Sequence, residues 1–138
     1  MVDRPTNLPD TGVMPISHVQ IFSIPVADQD RARDFYVNIL GFELMEDEAM
    51  GPDMRWVQVR PVGATTSITL VTWFPTMPAG SLKGTLCATS SLEADIADLR
   101  GKGVAIGDIE SAPWGRFVTF DDPDGNGIIL QETSPDHR

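Results

Sequence analysis

The chain is poor in cysteine, histidine and basic residues, and each shortage closes off a class of function. Cys87 is the only cysteine in 138 residues, so no disulfide can form within the chain and a cysteine-based zinc cluster is excluded. Ten lysines and arginines stand against twenty acidic residues, a net charge of −10. A surface of that sign repels phosphate backbones and anionic headgroups, which argues against nucleic-acid and membrane partners. No apolar run approaches the roughly 20 residues that a membrane span requires. No basic segment followed by an apolar one opens the chain, so a reducing cytoplasm is the expected location.

What is present is one domain's worth of ordinary globular composition, with 41% apolar residues. Residues 1–15, with Pro5, Pro9, Gly12 and Pro15, read as an N-terminal arm. The densest local signal is Asp122-Pro123-Asp124-Gly125-Asn126-Gly127. Proline presets φ and the Gly/Asn positions tolerate positive φ, so this is a tight reversal. The short apolar run Ile128–Leu130 that follows is β-branched and reads as a buried strand ending in Gln131 and Glu132.

From His18 to Val26 the residues read as a strand, with Pro25 placed at its end or on a sheet edge. Asp28 is a good N-cap, and Ala32, Phe35, Tyr36, Ile39 and Leu40 form one apolar helical stripe closed by Gly41. Short strands are predicted at Phe42–Met45, Met54–Arg60 and Thr66–Trp73, with Glu46–Asp53 as a solvated acidic loop. After a connector at Phe74–Lys83 a similar order recurs. Thr85–Thr89 is a strand, and Ser90–Glu93 resembles a capping box for a helix with Leu92, Ile96 and Leu99 on its apolar side. Val104–Ile106, Arg116–Asp121 and Ile128–Glu132 complete the set. Strand–helix–strand–strand–strand, twice, is an internal duplication of element order. The predicted division is a domain at residues 16–134, with one module at about 16–74, a linker at 75–83 and a second module at about 84–134.

Asp28–Phe42, with its Phe35-Tyr36 pair and Leu40-Gly41-Phe42, together with Asp122–Asn126, resembles the vicinal oxygen chelate superfamily of glyoxalases, extradiol dioxygenases and bleomycin-resistance proteins. The resemblance implies an α+β fold of two βαβββ modules forming one curled-sheet, cup-shaped domain, often completed by a second subunit. It also implies where a metal would sit. Those positions fall on Ile21, Thr69, Thr85 (or Gly84) and Ile129. Isoleucine has no donor atom and a threonine hydroxyl is a weak neutral one, so no metal and no other cofactor is expected. His18 projects to the opposite face of a regular strand from Ile21, and His137 lies in the C-terminal tail.

Period-two alternation extends the inward face to Val19, Ser23, Ser67, Val71, Trp73 and Gln131, with Trp56 and Gln58 together on a neighbouring strand. Trp114 and Arg116 lie where a rim loop is expected. The predicted ligand-binding set is therefore Trp56, Gln58, Thr69, Trp73, Trp114, Arg116, Ile129 and Gln131. Tryptophan offers a broad apolar face and arginine a bidentate contact to carboxylate, so the expected ligand is a small organic molecule, aromatic or anionic. Cys87 reads as a small core hydrophobe. The expectation is a metal-independent, small-molecule-binding homodimer. The alternative is a metal-dependent glyoxalase- or dioxygenase-type enzyme with non-standard ligands.

Overall fold

A computed structural model describes residues 14–133. The chain order is β1 (Ile21–Pro25), α1 (Gln29–Asp34) continuing into a π-helical segment (Phe35–Ile39), β2 (Glu43–Ala49), β3 (Arg55–Arg60) and β4 (Ser67–Val71). Then come β5 (Thr85–Ala88), α2 (Leu92–Gly101), β6 (Glu110–Ala112), β7 (Gly115–Asp121) and β8 (Gly127–Thr133). Sheet one has the order β1-β4-β3-β2 and sheet two the order β5-β8-β7-β6. In both, the first and last strands of the module pair in parallel and the others antiparallel. The duplication read from element order is thus a duplication of topology, the α+β fold of two βαβββ modules. No described helix is long and apolar enough to cross a membrane.

Each helix begins where its cap dictates. Asp28 sits in extended backbone and its carboxylate accepts from Arg31 N at 3.1 Å; Ser91 does the same for Ala94 N at 3.2 Å. The first helix buries Ala32 and Tyr36, and its π-helical turn, closed by Leu40 N donating to Phe35 O, packs Phe35, Ile39 and Leu40 against the same core. Pro25 is the last residue of an edge strand, the position its missing N–H allows.

Two sequence-based expectations fail. The acidic run Glu46–Ala49 is strand, not loop, and the turn falls at Met50–Met54. Alternation explains it: Asp47 turns to the helix side, where Arg33 and Arg55 each reach it at 2.8 Å, while Glu46 and Glu48 turn the other way. Val104–Ile106 makes only an isolated bridge, Ile106 to Phe120, and the edge strand is the polar Glu110–Ala112. Polar, short strands are normal at a sheet edge, where one side has no neighbouring strand.

The two modules share one core through their helix-covered faces. Ile24, Val57, Val59, Ile68 and Leu70 of sheet one pack with Leu99, Phe120 and Ile128 of the second module. A polar staple holds this arrangement. The Asp122 carboxylate accepts four hydrogen bonds, from Asp124 N, Asn126 N, Asn126 Nδ2 and the Tyr36 hydroxyl at 2.9 Å. Asn126 Nδ2 also donates to Pro25 O at 2.8 Å, and Asp124 Oδ1 accepts from Ala27 N and Arg31. Burial, then the Asp122 charge, pushes the Tyr36 phenol far up, so it is a neutral donor at every physiological pH. Gly80 closes the joint: with φ +81° it donates to Pro25 O, and a Cβ there would lie 2.0 Å from Asp124 O.

Asp122→Ala strands four donors in a buried site and is expected to cost about 3–4 kcal/mol in urea unfolding, against about 1–2 for Tyr36→Phe, which leaves the carboxylate three partners. A second expectation concerns acid. Hydrogen bonds from Arg55 and then Arg33 hold the Asp47 carboxyl down at about 2. A depressed folded pKa stabilises above the unfolded value, so this contribution is complete above about pH 4 and is lost as the pH falls through about 2. Asp47→Asn should therefore cost about 1–2 kcal/mol at neutral pH and progressively less toward pH 2, measured as urea midpoints across that range.

Candidate functional site

Because one face of each sheet is spent on the shared core, the other is left without a covering element. Register assigns its residues. Ile21 pairs with Ser67, Ser23 with Thr69, and Gln58 with Thr69, so these side chains share the uncovered face of sheet one, with Trp56 two residues before Gln58. Small residues make its floor: Ser67 and Thr69 are buried, and Thr69 Oγ1 lies 3.1 Å from Ser23 Oγ. Gln58 spans the strands, accepting from Trp56 Nε1 at 3.0 Å and donating to Ser67 Oγ at 2.8 Å. Trp73, just past β4, lies against Trp56 with ring centroids 6.2 Å apart and planes at 21°, and Phe74 continues the aromatic surface. Trp56, Gln58, Thr69 and Trp73 are thus brought together, as the alternation implied. The Trp56 Nε1–Gln58 bond orients the Trp56 ring and leaves its π face free of hydrogen bonding.

The other half of the expected set lies on sheet two. Ile129 stands between Leu86 and Thr119, and Gln131 between Ala88 and Phe117, on the face turned away from α2. Gln131 is nearly buried and donates to Thr133 Oγ1 at 3.1 Å. Trp114 lies in the connection that precedes β7. It occupies the two-residue turn between β6 and β7 and is 50% exposed. Arg116 departs from its expected role. It pairs with Glu132, not Gln131, and so projects to the opposite face, where Glu93 and Glu132 hold its guanidinium at 2.7 and 2.6 Å. Those bonds keep Arg116 charged and both glutamates below the usual carboxylate range. A carboxylate reader at Arg116 would first have to displace two protein carboxylates.

The positions at which the superfamily would ligate a metal do not fit one. Ile21 and Ile129 offer hydrocarbon, and the Thr69 hydroxyl is engaged with Ser23. Thr85 pairs with Ile128 and faces the covered side; Leu86 takes its place on the open face. His18 stands exposed before β1, its Nδ1 2.8 Å from Ser17 Oγ. Among the described residues no three His, Cys, Asp or Glu side chains converge, and His137 lies outside them. A divalent ion needs several strong donors within about 2–2.6 Å.

A cleft of about 520 Å³ opens elsewhere, between the end of the first helix, Phe22 and Ile68 on one side and β5 and α2 on the other. None of the expected ligand-binding residues lines it. Cys87 borders it, half-buried, its thiol pushed up by burial and hence protonated. The cleft has a free strand edge as one wall, which makes it a contact surface in form more than a pocket.

With fold and faces established, relatives can be compared. Residues 16–130 match the model of the Glyoxalase/Bleomycin resistance protein/Dioxygenase superfamily. The chain belongs to that superfamily. A solved structure described as TnmS3, an antibiotic binding protein from Streptomyces sp. CB03234, is 53% identical, with TM-score 0.84, covering 88% of this chain and all of that one. A member of the Glyoxalase/bleomycin resistance protein/dioxygenase superfamily from Sphaerobacter thermophilus DSM 20745 is 37% identical, with TM-score 0.78, over 86% of this chain and 99% of the other. The uncharacterized protein YetH of Bacillus subtilis (strain 168) is 30% identical over 85% of this chain and 99% of its own length.

Residues that alternation alone could not rank also stand on the open faces. Glu48 lies opposite Trp56 and Glu46 opposite Gln58, while Leu86 and Phe117 flank the sheet-two residues. Their signal is cross-strand register, which a single chain reading does not carry. Near-parallel indoles couple electronically, so Trp56 and Trp73 should give an exciton couplet in far-ultraviolet circular dichroism that Trp73→Phe abolishes while the urea midpoint moves little. A couplet that survives the substitution would mean the stack does not exist in solution.

Proposed function

We propose that this chain is a metal-independent binding protein for a small, flat organic molecule, held in a cup that two copies of the chain build together. The observation that carries this reading is the Trp56–Trp73 stack, set beside a sheet floor of hydroxyl, amide and hydrocarbon side chains. A rigid double indole presents a large planar surface at little conformational cost, and bonded polar neighbours orient it without competing for a metal. The antibiotic-binding relative supports a ligand of drug size.

The second copy follows from the direction of the faces. Both sheets spend their covered faces on one core, so their open faces diverge within a chain. A cup walled by Trp56, Gln58, Thr69 and Trp73 on one side and by Ile129, Gln131 and Phe117 on the other takes sheet one of one protomer and sheet two of its partner. The outer edges of β1 and β5 are unpaired among the described residues. Exposed apolar side chains lie along both, Leu86 at 51% and Val19 at 64%. Covering those edges and the cleft beside Cys87 is the contact this reading assigns to the dimer. Trp114 then stands at the rim from the partner's side, and Arg116 serves structure alone. The free thiol suits a reducing cytoplasm.

The test uses indole fluorescence. Acridine, a planar tricycle, should quench it saturably, and dialysis against EDTA should leave the affinity unchanged. Binding that requires added Ni²⁺, Zn²⁺, Mn²⁺ or Fe²⁺ would overturn metal independence. Trp56→Ala and Phe117→Asp should each abolish quenching in homodimers. Co-expressed with separate tags and isolated as a mixed dimer, they should regain one site of the two; recovery of none would place the whole site in one chain.

A further inference from the structure

We propose that the molecule held against Trp56 and Trp73 is a cation, a planar aromatic carrying a protonated or quaternary nitrogen. This rests on the ligand cup above and assigns its charge specificity to Glu48 and Glu46. Trp56 Nε1 is already committed to the Gln58 carbonyl, so the indole meets a ligand with its face, and the face of tryptophan is negative. Antiparallel register sets Glu48 directly across from Trp56, and Glu46 across from Gln58, on the same side of the sheet. Opposed positions bring their Cβ atoms to about 5 Å, within reach of anything stacked on the ring. Neither carboxylate has a basic partner among the described residues.

The described arginines that would attract an anion are already paired. Arg60, the basic residue on this face, is held by Glu43 and by the carbonyl of Ala64. Arg31, Arg33, Arg55, Arg100 and Arg116 are all engaged by carboxylates as well. Arg116, the residue that pointed to an anionic ligand, faces the other side of sheet two, and the open side carries Glu110 opposite Phe117. Among the described residues, an anion entering the cup meets carboxylates and no unpaired guanidinium. A cation gains the indole face, two carboxylates and the attraction of a chain with net charge −10.

Three tricycles of one shape and different charge decide the matter at neutral pH: 9-aminoacridine (cationic), acridine (neutral) and acridine-9-carboxylate (anionic), each titrated against indole fluorescence. The cation should bind about tenfold more tightly than acridine, and the carboxylate should not saturate. Glu48→Gln should weaken the cation by about three- to tenfold and leave acridine unchanged. Asp108→Asn, which removes the same charge from the loop after α2, should change neither. A carboxylate that binds as well as the cation, or a cation preference that survives Glu48→Gln, overturns the charge assignment and leaves the cup standing. Failure of all three probes removes cup and charge assignment together.

Discussion

The buried Asp122 carboxylate, with the Tyr36 hydroxyl and the Asn126 amide around it, is the constraint on which the rest of the molecule depends. A buried carboxyl group with four donors is costly to displace, because rearrangement orphans several buried donors at once. It binds the last hairpin to the corner between β1 and α1, some ninety residues earlier in the chain. That bond pattern selects which sheet faces meet. Once the helix-covered faces are joined in one core, the remaining faces are directed outward, and their residues are free of any duty in holding the modules together.

This separation shapes the chemistry of recognition. The charged groups of the helix side are neutralised in place: Asp47 between Arg33 and Arg55, Arg116 between Glu93 and Glu132. The open face of sheet one has a different character, with a short chain of side-chain hydrogen bonds across the strands and two half-buried indoles stacked beside it. Where metal-dependent relatives would place donors, this face has isoleucine and an engaged threonine. Its donors are too few and too weak to hold a metal ion.

Much of the fold was legible in the residues because local signals and burial agreed. Asp28, Gly41, Ser91 and the Asp122–Gly127 turn punctuate the chain where the elements start and stop. The helix stripe and the period-two strands follow from which faces must be buried. The failures came where a partner distant in sequence decides. Glu46–Ala49 looks like solvated loop until Arg33 and Arg55 are known to flank Asp47. Val104–Ile106 looks like a strand until Glu110–Ala112 takes the edge. Half of the candidate site was legible for the same reason. Alternation groups Trp56 with Gln58 and Ile129 with Gln131, but the face of Arg116 depends on a register against β8, and the placement of Glu48 opposite Trp56 on a register against β3.

The most direct measurement is a crystal structure of the protein grown with a planar aromatic cation. The account predicts electron density for the compound lying on the Trp56 ring of one protomer, with Gln131 and Phe117 of the partner subunit closing over it and no ion at coordination distance. Density confined to the cleft beside Cys87, or a metal seated among these residues, would contradict it.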